Sequence, residues 1–191
     1  MIKAHYFSRQ ICTLALLVCC ISASADDLLL NFGGGPQPGS DQTNSTAGID
    51  FVFFSHERSK RSSFDIGVSY TYMSTNTAQN DSIIAYSVFP QLSMYPSPDS
   101  WFRTLLPSTT EPYFFVRALG PSYISDNRLG DRQQDKNFAF QAQIGLGAII
   151  PLKNGNEAIV TFSWKHFSNA NLFDDNDGID FPFVLTLGLR F

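Results

Sequence analysis

The chain has 191 residues, 43% hydrophobic and 16% charged, with a mean hydropathy of −0.06, too apolar a balance for a disordered tail and the size of one compact unit. Its formal charge of −4 becomes −6 once the first 25 residues, with two basic and no acidic side chains, are set aside, which excludes nucleic-acid binding through a basic surface. All three cysteines, Cys12, Cys19 and Cys20, fall in those 25 residues, so disulfides, thiolate metal sites and cysteine nucleophiles are excluded from the remainder.

Residues 1–25 read as a secretory signal. Lys3 and Arg9 precede an apolar stretch at 11–21, and Ala23-Ser24-Ala25 offers cleavage after Ala25, leaving residues 26–191 as the mature domain. Retention of Cys19 or Cys20 as a lipidated residue is disfavoured, because Val18 and Cys19 are poor small-residue neighbours. Nothing later approaches the ~18 unbroken apolar residues of a membrane helix, so any insertion must use strands.

Eight segments of strand character follow, at about 27–33, 47–55, 63–74, 82–95, 112–123, 137–151, 157–168 and 181–191. In the third, Phe64, Ile66, Val68, Tyr70 and Tyr72 alternate with small or polar partners. The fourth repeats the period through Ile84, Tyr86, Val88, Pro90, Leu92 and Met94. The sixth sets Phe138, Phe140, Ile144 and Leu146 against Gln141, Gln143, Gly145 and Gly147. The last runs through Phe181, Phe183, Leu185, Leu187, Leu189 and Phe191. One face is aromatic and aliphatic and the other small and polar, the reverse of a soluble ligand-binding barrel. The expected fold is an all-β, eight-stranded antiparallel transmembrane barrel with its oily face outward. The terminal Phe191 resembles the closing signal of bacterial outer-membrane proteins, which are inserted by the outer-membrane barrel assembly machinery.

With both termini on the periplasmic side, the external connections are 34–46, 75–81, 124–136 and 169–180. The Asn154-Gly155 pair suits a tight hairpin on the other side. Gly33, Gly34 and Gly35 are expected to form a flexible turn, because no phosphate-loop Lys or Ser/Thr follows them. His56-Glu57-Arg58-Ser59-Lys60-Arg61 reads as a solvated periplasmic turn, and Trp101 and Trp164 as interface anchors. The long connection at 95–111, with Pro96, Pro98 and Pro107, has no explanation in the sequence.

Chemistry is concentrated at the end of the seventh segment. Ala158, Val160, Phe162 and Trp164 define its outer face, and the same parity puts His166 and Ser168 there too, near the external rim. An imidazole beside a hydroxyl can activate an alcohol nucleophile, given a carboxylate to orient the ring. The next connection supplies Asp174, Asp175, Asp177 and Asp180, while Asn169 and Asn176 offer amide donors for an oxyanion. The acids lack the order of a calcium loop, and no metal or other cofactor is expected.

The run His166-Phe167-Ser168-Asn169-Ala170, then Leu172, then Asn176-Asp177-Gly178-Ile179-Asp180, resembles the C-terminal signature of the PagL-type lipid A 3-O-deacylases. The resemblance implies an outer-membrane esterase removing the 3-O-linked acyl chain of lipid A in lipopolysaccharide. It assigns His166 as base, Ser168 as nucleophile, Asp180 as acid and Asn176 as oxyanion donor. Two residues depart from the family pattern. Asp180 stands for a Glu, so the ring must approach closer or another carboxylate such as Asp177 must serve. Asn171 stands for a Gly, which suits a left-handed turn. Counting back from Phe191 puts Asp180 on the inner face, so the triad requires a bulge between Asp180 and Phe183, with Pro182 the plausible place. The rivals are a pore, which eight strands leave too narrow, and a small non-catalytic structural or adhesive barrel.

Overall fold

A computed structural model describes Asp27 to Phe191, so the expected signal segment lies outside the described residues. Its long strands are β1 (Asp27–Pro36), β2 (Thr43–Ser59), β3 (Ser62–Thr75), β4 (Ser82–Met94), β5 (Glu111–Ile124), β8 (Phe138–Pro151), β9 (Glu157–Ser168) and β10 (Ile179–Arg190). A two-residue pair, β6 (Arg128–Leu129) and β7 (Arg132–Gln133), interrupts the connection between β5 and β8. The eight long strands pair antiparallel with their sequence neighbours, and β10 returns to β1, closing the barrel with no free edge. No helix among the described residues is long and apolar enough to cross a membrane.

Alternation explains the burial. In β9, Ile159, Thr161, Ser163, Lys165 and Phe167 are buried, whereas Phe162 and Trp164 are exposed and His166 and Ser168 half-buried. The inward residues fill the interior in three levels. Toward the chain termini an apolar cluster holds Leu29, Val52, Phe89, Phe115 and Ile159. At the far end another holds Met73, Ile83, Leu129, Phe167 and Phe181. Between them lies a charged layer in which Arg117 Nη1 donates to Asp50 Oδ2 at 2.5 Å and Lys165 Nζ to Thr71 Oγ1 at 2.9 Å. Side chains therefore occupy the lumen, as expected for eight strands.

Several connections differ from expectation. Gly33, Gly34 and Gly35 are not a turn: they continue β1, and Gly33 lies against Phe183 so closely that a Cβ would sit 2.0 Å from its carbonyl oxygen. The glycines were chosen for strand approach rather than flexibility. The His56–Ser59 stretch belongs to β2, leaving only Lys60 and Arg61 to turn into β3. The 95–111 connection contains a single 3-10 turn, Trp101–Leu105, and its Tyr95 packs on the apolar cluster near the termini. The β6–β7 hairpin folds over the far end, burying Leu129. It is tied to the first connection by Ser40 Oγ donating to Asp131 Oδ2 at 2.5 Å and to the second by Gly130 N donating to Asn80 O at 2.8 Å.

Candidate active site

The last two strands position the site. β9 and β10 pair in simple register from Arg190↔Glu157 to Val184↔Ser163, then resume one residue out of step at Phe181↔Lys165 and Asp180↔His166. Pro182 and Phe183 thus oppose Trp164 alone. Proline has no N–H to give the ladder, so the extra residue falls where a ladder bond is already missing. The bulge reverses the parity beyond it. Phe181, counted outward by its spacing from Phe191, is fully buried on the inner side, and Asp180 turns to His166.

His166 Nδ1 lies 2.9 Å from Asp180 Oδ1. An ionised carboxylate can only accept, so the proton of this bond sits on Nδ1 and the lone pair of the neutral ring on Nε2. Ser168 follows two residues later on the same outward face, roughly 6.6 Å along the strand. On the other flank, the outward partners of Ser168 and His166 are Phe140 and Ala142 of β8. The imidazole is stacked on Trp164, with centroids 5.2 Å apart and planes at 27°. Its Cε1 edge faces Gly178, where a Cβ would stand only 2.5 Å away.

The Asp180 carboxylate has further donors. Trp164 Nε1 donates to Oδ1 at 2.9 Å and Gln37 Nε2 to Oδ2 at 3.1 Å. Of the two acids left open by the sequence, the one that reaches the imidazole is Asp180. Asp177 instead accepts at Oδ2 from Gln133 N at 3.1 Å, with Arg132 Nη1 4.0 Å from Oδ1.

Both expected amides tie the 169–178 connection together. Asn169 is fully buried and donates through Nδ2 to Asp175 O at 2.6 Å, while its N–H donates to Asn176 Oδ1 at 2.8 Å. Asn176 Nδ2 donates to Asn171 Oδ1 at 2.8 Å, which leaves its second hydrogen for another acceptor. Asn171 has φ +58°, the left-handed conformation expected of it, and Ala170 shares it at +56°. The hairpin holds this connection from above: Asp177 N donates to Gln133 O at 2.8 Å, and Gln134 Nε2 donates to Asp177 O.

Sequence reasoning missed three neighbours of the His166–Asp180 pair. Trp164, read as an interface anchor, shares the outward parity of His166, so its contact with the ring was recoverable from spacing. Gly178 stands two residues before Asp180 and could have been suspected only with the ring in place. Gln37 is 143 residues from Asp180 and carries no local signal, because barrel closure alone brings β1 beside β10.

Comparison with known proteins identifies the family and the fold. The family model described as lipid A 3-O-deacylase (PagL) matches residues 46–190, well over half of the chain. The crystal structure of the outer membrane enzyme PagL is similar at a TM-score of 0.57 and 20% identity, covering 85% of this chain and 97% of that one, a likeness of fold. The crystal structure of the outer membrane protein OprG from Pseudomonas aeruginosa aligns at a TM-score of 0.40 and 12% identity, over 88% of this chain and 96% of that one. No curated protein matches.

Proposed function

The chain belongs to the lipid A 3-O-deacylase (PagL) family and is therefore an outer-membrane barrel that hydrolyses an ester of lipid A; from that premise we propose that Ser168, His166 and Asp180 carry out the hydrolysis on its lipid-facing surface. The observation that carries this reading is the 2.9 Å contact of His166 with Asp180 on the outward side of the barrel, one step along the same face from Ser168. Polar groups facing lipid cost stability, least near the interface, and a triad at the far rim accounts for this cost. Family membership decides against a non-catalytic structural barrel.

In the mechanism, Asp180 accepts the Nδ1 hydrogen of His166 and keeps the ring in the tautomer whose Nε2 is basic. Nε2 takes the Ser168 proton as Oγ attacks the carbonyl carbon of the 3-O-linked acyl ester. The second Nδ2 hydrogen of Asn176, with backbone N–H groups, receives the developing oxyanion, and Asn169 holds the connection that presents it. Collapse breaks the ester C–O bond, and the imidazolium returns its proton to the departing sugar oxygen. Water then attacks the acyl-serine with His166 again as base, releasing the fatty acid and regenerating Ser168. The scheme draws on no cofactor. Insertion by the barrel assembly machinery belongs to the same proposal, supported by the outward alternation of β10.

The test is mass spectrometry of lipid A from cells producing the native chain, Ser168→Ala or His166→Ala. The native protein is expected to lighten lipid A by one acyl chain, and both variants to leave it whole while still reaching the outer membrane as folded barrels. Equal acyl loss with either variant would overturn the triad.

A further inference from the structure

We propose that Gln37 and Trp164 are positioning residues that clamp the Asp180 carboxylate against His166, with Gln37 supplied by the turn between β1 and β2. The inference rests on the triad reading above and deepens it. Gln37 precedes the stretch 46–190 that the family model matches.

The side chain of Gln37 is almost wholly buried, with 2% of the residue exposed, and its amide is directed at Asp180 from both ends. Asp180 N donates to Gln37 Oε1 at 2.9 Å, and Gln37 Nε2 donates to Asp180 Oδ2 at 3.1 Å and to Gly178 O at 3.1 Å. The backbone N–H can only donate, which fixes which end of the amide is oxygen and makes Nε2 the donor to the carboxylate. The turn that carries Gln37 is itself braced. Asn44 Nδ2 donates to Gln37 Oε1 at 2.6 Å and to Asp180 O at 3.1 Å, and Gln42 Nε2 donates to Asn44 Oδ1 at 2.7 Å.

Trp164 completes the clamp from the lipid side. Its Nε1–H donates to the same Oδ1 that accepts from His166, and an ionised carboxylate oxygen has lone pairs for both. Its indole face lies along the imidazole, so one residue sets both members of the acid–base pair. An Asp has one methylene less reach than a Glu and meets the ring only from the register position opposite it. Donors at both oxygens stop the short carboxylate from rotating away from Nδ1.

The test compares purified, folded native barrel with Gln37→Met, Gln37→Ala and Trp164→Phe, each alone and combined with Asp180→Ala, measuring kcat and KM for 3-O-acyl release. Gln37→Met keeps the length of the side chain and removes its donor without adding charge, and Trp164→Phe keeps an aromatic ring without the N–H. These two decide the matter if Gln37→Ala fails to fold. Each single substitution should lower kcat by roughly 10- to 100-fold, the worth of a hydrogen bond to a charged group, while KM stays within about two-fold. In the Asp180→Ala background the same substitutions should cause no further loss, because nothing remains to position. Native kcat in Gln37→Met and Trp164→Phe, or an undiminished fold-loss in the Asp180→Ala background, would overturn the clamp and leave the triad standing. Native kcat in Asp180→Ala alone would instead overturn the triad, and the clamp with it.

Discussion

The two faces of β9 carry polar residues for different reasons. Inward, Lys165 is fully buried, yet its Nζ donates to Thr71 and Asn31, and beside it Arg117 and Asp50 neutralise one another. These groups satisfy one another and hold the strands together. Outward, His166, Ser168 and the indole nitrogen of Trp164 occupy positions where a leucine would suit the bilayer better. Polarity on the inside of a small barrel is packing; on the outside near the rim it needs another cause, and the proposed triad supplies one.

The contrast can be broken most sharply at Asp180. Asp180→Asn keeps the shape but allows the wrong histidine tautomer, and activity should fall by about 10²- to 10⁴-fold, whereas Asp177→Asn should stay near native in the same lipid A assay. Insertion of one alanine between Asp180 and Phe181 would put the alanine opposite His166 and return Asp180 to inner parity, opposite the buried Phe167. The barrel should still assemble, with activity no higher than that of Asp180→Asn, measured per folded molecule on a gel that separates folded from unfolded barrels. Gly178→Ala places a methyl against the imidazole edge and should cost roughly ten-fold in kcat through a displaced ring. The smallest effect on turnover belongs to the lumen. Arg117→Ala leaves Asp50 buried without its partner and should lose about 3–5 kcal/mol of stability in denaturant titration, with turnover per folded barrel unchanged.

Much of this arrangement was legible in the sequence because a strand has a period of two. Parity alone put His166 and Ser168 on the oily face, and the demand that Asp180 join them located the bulge at Pro182, where β10 does shift register. The failures came where tertiary closure overrides local cues. A glycine triplet resembles a turn until Phe183 is seen pressed against it. The β6–β7 hairpin is too short to leave a periodic trace. Gln37 meets Asp180 only because the first and last strands of a closed barrel are neighbours, a relation that no local window contains.

The most direct measurement is covalent trapping with a long-chain fluorophosphonate, which labels a serine only when a neighbouring base activates it, followed by peptide mass spectrometry of the folded barrel. A single adduct on Ser168, absent in both Ser168→Ala and His166→Ala, is the predicted result. An adduct on any other residue, or labelling of Ser168 that survives His166→Ala undiminished, would contradict the account.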